Sequence, residues 1–208
     1  MRKTKQNKKN HFKLNPTNQL ILALVLFLIA TILSRGGEAS QIEISLFRWA
    51  YGLPGFLHSL FVFITQFGSI YVLGILLVTF LIKRHYHVVL RLLLTGTLAY
   101  TLSGVAKDLW GRARPNDFLT DVTSLDVLVR GPGYPSGHAA MATALALTLG
   151  YYWHNKYRWV VVSLIIGVSL SRMYLGVHLP LDVVGGFAIG WASYALFRHV
   201  RLQDILPK

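Results

Sequence analysis

A chain of 208 residues that is 53% hydrophobic and 14% charged, with positive mean hydropathy, has more apolar side chain than a water-soluble domain can bury, so it reads as one membrane domain. Its net charge of +13 would suit nucleic acid, but the Lys and Arg residues fall in short clusters between apolar runs and not on one face, which excludes that partner. The absence of cysteine excludes disulfides and thiolate metal sites and leaves the redox compartment unreadable.

Residues 1–17 hold Arg2, Lys3, Lys5, Lys8, Lys9 and Lys13, a solvated tail that anchors the first helix on the cytoplasmic side. Residues 18–34 follow as the first span, about 25 Å of helix. Gly37-Glu38-Ala39 has the small residues of a cleavage site, but Arg35 and Glu38 disfavour cutting there. Residues 41–67 are apolar yet broken by Glu43, Arg48, Pro54, His58 and Gln66, the pattern of short helices lying at the outer interface. A single helix over 55–82 would run to about 42 Å, so the next span is set at about residue 66 to residue 82, with Gly68 as the break.

Further spans are expected at 88–105, 138–152, 159–171 and 181–197, making an all-α polytopic protein of six transmembrane helices with short outer interfacial helices. The membrane domain then covers 18–198, between a basic tail at 1–17 and a second cytoplasmic tail at 199–208. Six spans put 14 of the 21 Lys and Arg on the side of the termini, as the positive-inside rule requires. A hairpin at 55–82 would turn the basic loop at Lys83 outward and scatter that pattern, so it is rejected.

The same parity brings residues 107–135 and the turn 172–180 to one outer membrane face. Three polar blocks lie there: Lys107-Asp108-Leu109-Trp110-Gly111-Arg112-Ala113-Arg114-Pro115, Pro135-Ser136-Gly137-His138, and Ser171-Arg172 through His178 to Asp182. Ionisable groups beside spans are expensive unless paired or facing a wet cavity, so their convergence marks a functional site. In order and internal spacing these blocks resemble the three signatures of the type 2 phosphatidic acid phosphatase superfamily, and length and span count resemble its small bacterial membrane members.

Residue chemistry assigns roles that agree with what the resemblance implies. Lys107 and Arg114 lie seven apart, roughly two helical turns, so on a continuing helix both face one phosphate, with Arg172 as the third cation. Ser136 and Gly137 open an apolar run, a helix amino terminus whose N–H groups and dipole attract an anion. His138, in that first turn, is the acid and base. His178 and Asp182 are four apart around Pro180, on one helical face, so the carboxylate can orient the imidazole as a nucleophile.

The expected reaction is hydrolysis of a lipid phosphomonoester or pyrophosphate through a phosphohistidine. By resemblance undecaprenyl pyrophosphate leads, ahead of phosphatidylglycerol phosphate and phosphatidic acid, with the site on the extracytoplasmic face of a bacterial cell membrane. The resemblance implies no metal and no cofactor, and three cations beside a single carboxylate favour an anion over a metal held by His138, His178 and Asp182. Rival readings are a lipid phosphotransferase, a vanadate-dependent haloperoxidase by resemblance, and a non-enzymatic lipid-binding or transport protein. His11, His58, His85, His87, His154 and His199 are read as background, Arg112 as loop structure, and Asp108, Asp117, Asp121 and Asp126 as solvated or Arg-paired.

Overall fold

The computed structural model describes residues 14–35, 39–126, 131–153 and 155–198, and among them it is helical throughout with no strand. The helices are α1 (Pro16–Ser34), α2 (Gln41–Tyr51), α3 (His58–Thr65), α4 (Ile70–Ile82), α5 (Tyr86–Trp110), the single turn α6 (Pro115–Phe118), α7 (Gly137–Tyr152), α8 (Arg158–Tyr174) and α9 (Pro180–Arg198). The expected tails lie almost wholly outside the described residues, as do Gly37 and Glu38 of the cleavage motif and His11, His154 and His199.

Local chemistry sets the boundaries. Asn15 caps α1 by accepting from the Asn18 N–H, with Pro16 in the first turn, where a missing N–H costs nothing. Ser69 caps α4 by accepting from Val72 N, so the helix begins at Ile70, a few residues later than expected, after the break at Gly68. Gly111 ends α5 in the left-handed region at φ 57°, which glycine adopts without a Cβ clash.

Helix α7 is the centre, buried without interruption from Ala139 to Thr148 and packed against α5, α8 and α9, while α1 lies along α9. Lipid offers helices no hydrophobic gain for pairing, so close packing and interhelical hydrogen bonds must hold them. Glycines provide the packing: a Cβ on Gly186 would run into the Ser136 carbonyl, and one on Gly190 into the Ala140 carbonyl. Hydrogen bonds join Thr95 Oγ1 to Thr148 Oγ1 at 3.1 Å and Thr31 Oγ1 to the Tyr134 hydroxyl at 2.7 Å.

By length and composition, three described stretches can cross a membrane: Pro16–Ser34, Tyr86–Phe118 and Pro180–Arg198. Gly55–Gly68 and Ile70–Ile82, bent by 60°, make a fourth if they form one broken span. Against the expected six, α7 and α8 have only 16 and 17 residues, so α7 rises about 24 Å against a hydrocarbon core of about 30 Å. A helix enclosed by neighbours, as α7 is, need not match the bilayer.

Replacing Gly190 by Ala should lower stability by about 1–3 kcal/mol through overpacking. Gly74→Ala, where a Cβ meets nothing within 4 Å, should leave it unchanged or slightly raised. Thermal unfolding of both variants in detergent, followed by circular dichroism, checks the contrast.

Candidate active site

Three chain segments meet where α5 ends and α7 and α9 begin. Lys107 leaves the last turn of α5 and donates from Nζ to the carbonyls of Pro132 at 2.7 Å and Gly133 at 3.3 Å. Arg114 donates to the same Pro132 carbonyl from Nη2 at 3.1 Å, to Gly131 O from Nε at 2.7 Å and to Val177 O from Nη1 at 2.8 Å. The two cations therefore converge, but not by helical spacing. Gly111 has already ended the helix, and Arg114 returns through a loop held by Asp117 Oδ2, which accepts from its backbone N–H at 2.7 Å.

Ser136 stands at the N-cap of α7, its Oγ accepting from Ala139 N, and its own N–H donates to the Asp182 carbonyl at 2.8 Å. This ties the start of α7 to the start of α9. Gly137 and His138 occupy the first turn, where helix N–H groups favour an anion. A Cβ on Gly68 would strike the His138 backbone, so the break before α4 also abuts this turn. Arg172, buried near the end of α8, donates from Nη1 to Thr65 Oγ1 and to Asp126 Oδ2, each at 2.9 Å.

His178 sits in the turn before α9, and its Nδ1 lies 3.5 Å from Asp182 Oδ2. The expected pairing across one helical face is thus drawn differently: α9 begins at Pro180, so only Asp182 is helical and the turn brings the histidine over it. Asp182 Oδ2 also accepts from Leu179 N at 2.8 Å. Burial, then Lys107, Arg172, Arg114 and His138 acting on the ring, lower the His178 pKa well below the usual imidazole value. The ring is therefore neutral at neutral pH, the form that carries a nucleophilic lone pair.

Two residues of this centre were missed. Arg112, read as loop structure, is buried and donates from Nη1 to Asp182 Oδ1 at 3.0 Å and to Glu43 Oε1 at 2.9 Å, and from Nη2 to Glu43 Oε2 at 2.6 Å. Glu43 also accepts from Leu181 N at 3.0 Å. Its sequence setting, Ser40-Gln41-Ile42-Glu43, reads as an ordinary capping box, and Ser40 does cap α2. The Glu43 side chain, however, turns into the protein. The signal that could have found it is the acidic residue itself, placed on a segment otherwise set at an apolar interface. The site thus holds more carboxylate than the expected one, with Glu43 neutralised by Arg112 and Asp126 beside Arg172.

A helical membrane fold with this cluster of cations, imidazoles and a buried carboxylate has the make-up of a phosphate-ester hydrolase. The chain belongs to the PAP2 superfamily, whose sequence pattern matches residues 88–205, more than half of its length, and is a membrane phosphatase of that family. It is 32% identical to the undecaprenyl-diphosphatase of Sulfolobus acidocaldarius over 89% of this chain and 92% of that one. It is 30% identical to the lipid A 4'-phosphatase of Bacteroides thetaiotaomicron over 76% of this chain and 75% of that one. Among solved structures it resembles Aquifex aeolicus LpxE with a TM-score of 0.70 at 29% identity, covering 76% of this chain and 96% of that one. It shares its fold with the PAP2-type phosphatidylglycerolphosphate phosphatase of Bacillus subtilis, with a TM-score of 0.73 at 23% identity over 91% of this chain and 98% of that one.

Removing one partner of the buried pair should be far costlier than removing one partner of an exposed pair. Arg112→Met, which strands two buried carboxylates, should destabilise by about 3–5 kcal/mol. Arg48→Met, which breaks the exposed Arg48–Asp121 pair, should change stability by less than about 1 kcal/mol. Denaturation of the two detergent-solubilised variants side by side gives the comparison.

Proposed function

We propose that this membrane phosphatase hydrolyses a lipid phosphate, with undecaprenyl pyrophosphate as the leading substrate, through a phosphohistidine on His178. The observation that carries the reading is the buried His178–Asp182 contact at 3.5 Å with Lys107, Arg114 and Arg172 acting on the same imidazole. Anion binding alone needs cations and donors, not an oriented neutral nucleophile. The undecaprenyl-diphosphatase relative, matched along nearly the whole chain, supports the choice of lipid.

In the first step a lone pair of His178 forms the N–P bond as the bond from phosphorus to the leaving lipid oxygen breaks, and His138 gives that oxygen its proton. Lys107, Arg114, Arg172, the Ser136 hydroxyl and the Gly137 N–H stabilise the charge spread over the phosphoryl oxygens. In the second step water attacks phosphorus, His138 takes its proton, the N–P bond breaks and inorganic phosphate leaves. No metal enters this sequence.

Phosphate release from undecaprenyl pyrophosphate by detergent-purified protein in excess EDTA should be robust for the wild type and lost by orders of magnitude in His178→Ala and His138→Ala. Near-normal turnover by folded His178→Ala would remove it as the nucleophile. Run against phosphatidylglycerol phosphate and phosphatidic acid, the isoprenoid should be turned over fastest. A strong preference for phosphatidic acid would overturn the lipid assignment.

The reading includes six crossings, namely α1, the bent 55–82 segment, α5, α7, α8 and α9, with both termini cytoplasmic and the site on the outer face of a bacterial cell membrane. The grouping of basic loops on one side supports it. Because the chain has no cysteine, single cysteines can report sidedness cleanly. Lys83→Cys should react with an impermeant maleimide only when the cytoplasmic side is opened, and Thr120→Cys in intact cells.

A further inference from the structure

Glu43 belongs to α2, outside the stretch matched by the family pattern, yet both of its oxygens hold a guanidinium that touches the carboxylate beside His178. We propose that Glu43, acting through Arg112, is a positioning residue for the phosphatase reaction: it limits Arg112 to one oxygen of Asp182 so that the other stays turned toward His178. The proposal rests on the reading of His178 as nucleophile and Asp182 as its orienting group.

The hydrogen-bond inventory carries the argument. Arg112 uses Nη2 and one N–H of Nη1 on Glu43, which leaves the second N–H of Nη1 for Asp182 Oδ1 at 3.0 Å. Asp182 Oδ2 accepts from the Leu179 N–H at 2.8 Å and faces the His178 Nδ1 across 3.5 Å, an electrostatic contact longer than a formed hydrogen bond. An arginine fork matches both oxygens of one carboxylate, and that bidentate geometry is its preferred one. With Glu43 absent the fork is released to close on both Asp182 oxygens, drawing the carboxylate off the imidazole. Glu43 is in turn held by the Leu181 N–H at 3.0 Å, one residue from Asp182, and its side chain is 4% exposed, so solvent does not weaken the pair.

This role predicts a particular kinetic signature, because Glu43 lies behind the site and not among the phosphate-binding groups. Glu43→Gln keeps the shape and removes the charge that competes for Arg112. Its kcat on a short-chain lipid phosphate in detergent should fall about 10- to 100-fold, as for groups that orient a reacting side chain from behind it. KM and the inhibition constant of inorganic phosphate should stay within about threefold of wild type, since Lys107, Arg114 and Arg172 are untouched. A kcat within about twofold of wild type, or a fall shared equally with phosphate affinity, would overturn the positioning role.

If Glu43→Gln does not elute as a monodisperse protein, Glu43→Ala, which removes the competing carboxylate and leaves Arg112 in place beside Asp182, is read by the same criteria. His178→Ala is measured alongside. Retained turnover in His178→Ala would bring down the histidine mechanism and this proposal with it, whereas an inactive His178→Ala beside a fully active Glu43→Gln would bring down the positioning role alone.

Discussion

A carboxylate with no solvent contact at the start of a helix must have every lone pair matched, and the way Asp182 is matched organises this protein. One oxygen takes the Arg112 guanidinium, the other the Leu179 N–H, and the backbone carbonyl of the same residue takes the Ser136 N–H. Arg112 comes from the loop after α5, Ser136 from the N-cap of α7, and Glu43, which holds Arg112, from α2. A single buried charge thus ties four separated segments to one point.

That point can exist only because the helices around it come close enough. Gly186 and Gly190 let α9 approach the backbone of α7 at Ser136 and Ala140, and the uninterrupted burial of α7 gives the junction a rigid wall. Small residues at such crossings replace the hydrophobic gain that lipid does not supply. The packing of α7 on α9 therefore aligns two helix starts, one bearing His138 and the other Asp182, and the loops above them bring in the cations.

Many of those cations are engaged by the protein itself. Lys107 and Arg114 donate to carbonyls of residues 131–133 and Val177, and Arg172 to Thr65 and Asp126. On the proposed reading, a phosphoryl group bound at Lys107 and Arg114 exchanges neutral carbonyl acceptors for a dianion, a stronger charge-assisted contact. Charge held ready in a low-dielectric setting is what stabilises a phosphoryl transition state, since phosphoryl transfer asks the protein mainly for position and field.

The membrane class, the helical content, the order of the three polar blocks and the residue types of the site were all legible in the sequence, because composition and short-range spacing carry them. Ser136 at a helix start and Pro180 opening α9 follow from local backbone chemistry alone. Helical spacing misled for Lys107 and Arg114, since one left-handed glycine, Gly111, separates them and a loop brings them back together. The partnership of Glu43 with Arg112 was beyond reach, because 69 residues separate the two and Glu43 reads in sequence as a polar break in an interfacial segment. What one residue needs from its neighbours in the chain is written locally, whereas which distant charge answers a buried one is decided only when the helices pack.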